Sequence, residues 1–278
     1  MKSRPFVKMN GLGNDFVVIE AGSVPFRPSA AEARAIADRA AGIGCDQIIA
    51  IERSSRADAF MRVWNADGGE VGACGNGARC AGWLVLQASG REEIALETAA
   101  GVLEVKRGKG DRVIVDMGPP GLAWNEIPLS REMDTREVDL QVRPDWPLPG
   151  CVSMGNPHVV FFVPDAEAAP VTRIGPMIER HALFPQRVNV GFAEIRGPER
   201  IRLRVWERGA GLTRACGTGA CAALVAAHRR GLIGVVATVE MDGGELRIRW
   251  RQTDQHVLMT GPVAVEFTGR LPASGVTA

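Results

Sequence analysis

Cys74 and Cys216 stand in matching surroundings, CGNG in one case and CGTG in the other, each leading into an apolar run rich in small residues. Two glycines beside a cysteine let the backbone turn tightly and approach a ligand with no Cβ in the way. The runs at 78–88 and 220–229 have the composition of buried helices, so each CGxG is expected as a loop directly before a helix. The N–H groups of a helix's first turn lack intrahelical partners and point forward. They favour an anion such as an α-carboxylate by about 0.3–2 kcal/mol per helix end. The same position is expected to lower a thiol pKa from about 8.5 toward neutrality. Two such cysteines could bracket one tetrahedral carbon. One, as thiolate, would remove the α-proton; the other, as thiol, would deliver a proton to the opposite face and invert the centre. Without an electron sink the α-C–H is a weak acid. The site must therefore hold its bases in near-attack geometry and aim N–H dipoles at the developing enediolate.

The elements that carry these cysteines repeat. Residues 61–78, MRVWNADGGEVGACGNGA, align with 203–220, LRVWERGAGLTRACGTGA, at a fixed offset of 142, with nine of eighteen positions identical. The same offset pairs GNDFVV at 13–18 with GNPHVV at 155–160, and Gln47 with Asn189. One inserted residue then moves the offset to 143 and pairs Gly118-Pro119 with Gly261-Pro262. The chain reads as a duplication, with copies near 7–119 and 151–262. A first domain is expected over 1–118, with a strand within 263–278 as the candidate to complete it. The second is expected over 119–262, where the Pro- and charge-rich stretch 120–150 reads as a linker with one extended segment. Each copy reads as strand, helix, strand, strand, helix, then a strand pair. The fold class expected is α+β (mixed α/β), two similar units facing each other across a pseudo-twofold axis with the active site in their shared cleft.

Composition removes several alternatives. Thirty-three Lys and Arg nearly balance thirty-two Asp and Glu, which gives no field for nucleic acid. No apolar run approaches the roughly 18 residues of a membrane span, and the N-terminus lacks the apolar core of a signal peptide. A cytoplasmic protein acting on a small molecule is the expectation. Six cysteines at 45, 74, 80, 151, 216 and 221 show neither disulfide-scaffold density nor zinc-finger spacing. No metal is expected. Cys45, Cys80, Cys151 and Cys221 read as packing residues.

At four ordered stretches the chain closely resembles the diaminopimelate epimerases: GLGNDF at 11–16, NADGGEVGACGNGAR at 65–79, MGNPH at 154–158 and ERGAGLTRACGTGAC at 207–221. The resemblance covers nearly the whole chain. It implies two similar domains, each a mixed, largely antiparallel sheet wrapped around a central helix, and a homodimer. It also implies interconversion of LL- and meso-diaminopimelate, on the route to lysine and peptidoglycan, with no metal and no pyridoxal phosphate. Carried over by residue, Cys74 and Cys216 are the two acid/bases. Gly75, Asn76, Gly217 and Thr218 would bind the reacting α-carboxylate. Asn14, Gln47, Asn65, Asn156, Asn189, Glu207 and Arg208 would line the rest of the pocket, with His158 in a supporting role. The substrate's distal end is an ammonium and a carboxylate, which Glu207 and Arg208 could pair. Here the repeat breaks, since Asn65 aligns with Glu207 and Ala66 with Arg208. Asn10 departs from the family pattern, which often has His there.

Other readings remain open on residues alone. A proline or hydroxyproline racemase would share the cysteine pair without needing Glu207–Arg208. A redox protein would use the same thiols reversibly, and a dicarboxylate-binding module would use the helix ends alone. Asn14 and Asn156 follow Gly and could merely form turns; Glu207–Arg208 could be a surface pair of little worth.

Overall fold

The computed structural model describes residues 4–22, 24–72 and 74–271. In chain order its elements are β1 (Arg4–Asn10), β2 (Asp15–Gly22), α1 (Ala30–Ala37), β3 (Gln47–Glu52), β4 (Ala59–Asn65), β5 (Glu70–Val71), α2 (Gly75–Ser89), β6 (Glu93–Thr98), β7 (Gly101–Arg107), β8 (Arg112–Asp116), β9 (Gly150–Ser153) and β10 (Pro157–Phe162). There follow α3 (Val171–Glu179), β11 (Asn189–Gly197), β12 (Arg200–Glu207), β13 (Gly211–Thr213), α4 (Gly217–Arg229), β14 (Val236–Met241), β15 (Gly244–Trp250), β16 (Val257–Pro262) and β17 (Ala264–Leu271). The chain divides into two compact units, one of Met1–Val115 with Thr260–Ala278 and the other of Asp116–Met259. The class is α+β.

In the first unit β2 runs parallel to β3, with α1 as the crossover, and β4 runs parallel to β6, with α2 as the crossover. The pairs β17–β1, β1–β2, β3–β4, β4–β5, β6–β7 and β7–β8 are antiparallel. The second unit repeats the plan: β10 is parallel to β11 across α3, and β12 to β14 across α4, with antiparallel β9–β10, β11–β12, β12–β13 and β14–β15. Register is kept too. Phe16 lies opposite Gln47, and their repeat equivalents His158 and Asn189 lie opposite each other. The strand expected within 263–278 is β17, paired with β1 over its whole length; residues 272–278 lie outside the described residues, as do 1–3 of the expected first domain.

Each unit wraps its sheet around one helix made of small residues. In α4, Gly219–Ala227 are all buried, and the helix packs on β9, β10, β11, β12, β14 and β15. In α2, Gly82 is required by proximity: a Cβ there would lie 2.6 Å from Val105 Cγ1. Helix α2 ends on Gly90 at φ 67°, the left-handed cap for which glycine is suited. No helix among the described residues is long and apolar enough to cross a membrane.

Two sequence expectations need correcting. Stretch 120–150 is no linker. Apart from its last residue, Gly150, which opens β9, its only ladder contact among the described residues is the isolated bridge Gly121–Ser153, yet Ile127, Leu129, Val138, Leu140 and Trp146 enter the second unit's core. Irregular backbone buries side chains with no period, so nothing in the sequence marked them. The helices also begin earlier than expected, at Gly75 and Gly217 rather than at 78 and 220. The CGxG glycines therefore form the first helical turn instead of a loop before it.

Candidate active site

Both cysteines are helix N-caps. Cys74 has φ −146° and ψ 113°, and its Sγ accepts the Gly77 N–H at 3.3 Å. Cys216 has φ −128° and ψ 108°, and its Sγ accepts the Gly219 N–H at 3.4 Å. The second glycine of each CGxG clears space for the sulfur. A Cβ at Gly219 would lie 3.2 Å from Cys216 Sγ and 3.2 Å from Val205 Cγ2; at Gly77 it would meet Ile49 Cδ1 at 2.9 Å and Cys74 Sγ at 3.5 Å. The motif thus presents a sulfur at the head of a helix, where first-turn N–H groups stabilise negative charge on it.

In the first unit the polar residues come from strand ends. Gln47 and Asn65 lie opposite each other on β3 and β4, and Gln47 Nε2 donates to Asn65 Oδ1 at 2.9 Å. Gln47 Oε1 is shielded from solvent and accepts no hydrogen bond within the protein, an acceptor suited to an ammonium. Asn76, in the first turn of α2, is buried and receives Arg79 Nη1 on its Oδ1 at 3.0 Å. Asn14 Nδ2 donates to Asp46 Oδ2 at 3.0 Å. A carboxylate only accepts, which fixes the nitrogen on that side and turns Asn14 Oδ1 away from it. Asp46 also takes the Asp15 N–H at 2.9 Å and Arg39 Nη2 at 2.8 Å. Behind it, Asp15 binds Arg39 through both oxygens and the buried Lys8 at 2.5 Å. Burial would raise the Asp15 carboxyl, but hydrogen bonds from Arg39 and Lys8 outweigh it and hold it well below the carboxylate range. The loop entering this region carries Leu12 at φ 66° and Gly13 at φ 79°. Asn10 Oδ1 accepts the Gly13 N–H at 2.8 Å and stabilises that left-handed pair.

Around Cys216 a chain of hydrogen bonds runs from an imidazole to the sulfur. His158 Nε2 contacts Asn156 Oδ1 at 3.0 Å, Asn156 Nδ2 donates to Thr218 Oγ1 at 3.3 Å, and Thr218 Oγ1 lies 3.6 Å from Cys216 Sγ. Burial, aided by the Arg208 charge, pushes the His158 imidazole down to about 3, so it is neutral and donates through Nε2–H. Asn189 Nδ2 donates to Pro157 O at 3.0 Å while its Oδ1 accepts the Arg208 N–H at 2.9 Å. Asn189 thus ties the MGNPH strand to the Glu207–Arg208 turn. Arg208 Nη1 donates to Gln186 O at 2.9 Å.

Glu207 differs from expectation. Its carboxylate takes the Thr213 hydroxyl and its charge reaches the Cys216 side chain, so it acts on the sulfur. Burial raises the Glu207 carboxyl above its usual value, opposed by Thr213 and Cys216. The Cys216 thiol is pushed well up by burial and by the Glu207 charge, opposed by Thr218 and the Gly219 N–H. A lowered thiol pKa was expected from the helix start alone. Burial to 4 % exposure and a neighbouring anion override the helix end. Cys216 rests as a thiol, the acid form.

The other four cysteines are buried packing residues. Burial raises Cys45 to about 11 and Cys80 to about 12, and raises Cys151 further. Sequence reasoning missed Thr213 and the Asp46 support of Asn14. Both act through contacts between separate elements, and the one hint was that Asp46 aligns with Val188 in the repeat.

The diaminopimelate epimerase family model matches residues 6–123 and 150–266, one copy of the repeat each. A diaminopimelate epimerase of Phenylobacterium zucineum (strain HLK1) is 65% identical over 272 residues, covering 97% of this chain and 98% of that one. That of Caulobacter sp. (strain K31) is 58% identical over 283 residues with the same coverage, 97% and 98%. Among solved structures, a hydroxyproline epimerase from Agrobacterium vitis shares the fold at TM-score 0.69 and 18% identity, covering 100% of this chain and 93% of that one. A PhzF-family phenazine biosynthesis protein from Bacillus anthracis does so at TM-score 0.68 and 14% identity, covering 98% and 100%. With both halves matched in order and relatives above half identity over nearly the full length, the chain belongs to the diaminopimelate epimerase family.

Proposed function

We propose that this isomerase interconverts LL- and meso-diaminopimelate, in lysine and peptidoglycan precursor biosynthesis, by proton transfer between Cys74 and Cys216 at opposite faces of one α-carbon. The observation that carries the reading is the duplicated cap: two sulfurs in near-identical backbone geometry, each heading a helix and each given room by a glycine three residues on. The thiol at Cys216, held protonated, is ready to deliver a proton; removal then falls to Cys74 as thiolate, and the reverse reaction exchanges the roles. Gly75, Asn76, Gly217 and Thr218 present first-turn donors to the α-carboxylate, and the enediolate charge builds there. Gln47 Oε1 and Asn14 Oδ1 offer acceptors to an ammonium. Asn65, Asn156, Asn189 and Arg208 supply donors to carboxylates, with His158 orienting Asn156. Glu207 serves beside Cys216 and, at its other face, the substrate. The active form in this reading is a cytoplasmic homodimer with no nucleic-acid partner; light scattering tests the dimer.

The test is proton NMR of LL-diaminopimelate with enzyme in D₂O. Loss of the α-hydrogen signal together with appearance of the meso isomer is expected. No exchange at any α-carbon would remove the epimerase reading and leave the thiols to another chemistry.

A further inference from the structure

Glu179 is a carboxylate buried to 4 % exposure at the last position of α3, and no step above uses it. Its Oε2 accepts the Trp206 indole N–H at 2.7 Å, its Oε1 accepts the Gly209 backbone N–H at 3.1 Å, and Arg187 Nη1 approaches Oε1 at 3.7 Å. Trp206 and Gly209 are the residues on either side of Glu207–Arg208. The carboxylate therefore grips both ends of the turn that carries the acidic neighbour of Cys216 and the guanidinium. The helix is pressed onto the same turn: a Cβ at Gly175 would lie 2.5 Å from Trp206 Cγ. The repeat partner of Glu179 is Ala37, and the partners of Glu207 and Arg208 are Asn65 and Ala66. The clamp occurs only in the half that has the charged pair.

We infer that Glu179 is a positioning residue, which sets the placement of Glu207 and Arg208 and through them the recognition of a substrate bearing an ammonium and a carboxylate at its far end. A buried carboxylate needs partners in full. Here two of them are N–H groups flanking a turn that is held besides by Asn189, Gln186 and Thr213. This rests on the function proposed above, so its test has one arm that does not depend on turnover.

In the first arm, Glu179→Gln and Glu179→Ala are compared with wild type for epimerisation of LL-diaminopimelate. KM is expected to rise about tenfold, the loss of one charge-assisted hydrogen bond to the turn, with kcat falling less than KM rises. In the second arm, iodoacetamide alkylation of Cys216 is followed against pH by peptide mass. With Glu207 no longer held against the sulfur, the midpoint is expected to fall by about one unit. Trp206→Phe, which removes one of the two grips, should give a smaller shift in both arms. A residue serving stability alone would lower the melting temperature and the active fraction while leaving KM and the midpoint where they were. That result in a folded Glu179→Gln overturns the inference. A shifted midpoint in a chain whose wild type fails to epimerise supports the clamp and removes the assigned substrate.

Discussion

Asn14 and Asn156 occupy equivalent positions in the two halves, yet each is oriented by different chemistry. In the first unit an anion does it: Asp46 takes the Asn14 amide hydrogen, and Asp46 is itself held by Arg39 within a cluster that includes Asp15 and Lys8. In the second unit neutral groups do it, with His158 on one side of Asn156 and Thr218 on the other. The positions matching Lys8, Asp15, Arg39 and Asp46 are Gly150, Pro157, His181 and Val188, so none of that cluster was kept or acquired in the other copy. Backbone and sulfur geometry are duplicated while the support is not. A symmetric reaction needs two equivalent bases; an unsymmetrical substrate needs two different walls.

The largest test of that division removes a sulfur. Cys74→Ala and Cys216→Ala should each lower epimerisation by at least about 10³-fold while the circular dichroism spectrum stays put. Turnover surviving in either variant would break the equivalence of the halves. Next come the glycines beside the sulfurs. Gly219→Ala should cost about 10²-fold in kcat, since a misplacement on the scale of an ångström is worth that much and its new Cβ meets Cys216 Sγ at 3.2 Å. Gly77→Ala should cost less, because its tightest contact is the mobile end of Ile49, and Ile49→Val should recover part of the loss. Equal losses in the two, unrelieved by Ile49→Val, would contradict the clash geometry.

A third test addresses the supports. Lys8→Met leaves Asp15 with one cation fewer in a buried site, and unfolding in urea should show a loss of about 3 kcal/mol. No loss would mean that Arg39 alone suffices.

The smallest single step lies in the response to acid, read one pH unit at a time. His158 has its pKa lowered from 6.5 to about 3. The unfolded chain therefore binds the proton more readily, and the stability from its neutral form is complete above 6.5 and declines as pH falls toward 3. The slope should be roughly 1 kcal/mol per pH unit across that window. Asp15, lowered from 3.8, contributes stability that is complete above 3.8 and is lost only below it. The second unit should thus soften before the first in a pH series of thermal melts, and His158→Gln should flatten the earlier slope. Simultaneous softening in wild type, or an unchanged slope in the variant, would contradict that order.

How much of this was readable beforehand follows the same line. The duplicated parts declared themselves, because a fixed offset preserves strand register and helix position alike; Phe16–Gln47 and His158–Asn189 are opposed as the alignment required. The unduplicated parts were silent. Asp46 under Asn14 and Glu179 behind Trp206 join elements distant in sequence, Thr213 meets Glu207 across the β12–β13 hairpin, and one chain gives little signal for such pairings. The helix start suggested a lowered Cys216 pKa, but burial and Glu207 reverse it, and neither can be read from a tetrapeptide. The 120–150 stretch failed for a different reason. Its buried Ile127, Val138 and Trp146 sit on irregular backbone, where no hydrophobic period exists to be found.

That the sulfurs of Cys74 and Cys216 each cap a helix would, in the reaction proposed above, join bond-making to secondary structure. A thiolate accepts an N–H bond better than a thiol, and a good cap is worth about 0.5–2 kcal/mol. Every passage of a proton from substrate to one cysteine and from the other to substrate would therefore loosen the head of one helix and tighten the head of its counterpart. Amide exchange at Gly77 and Gly219, followed with each stereoisomer bound, would record which half last received the hydrogen.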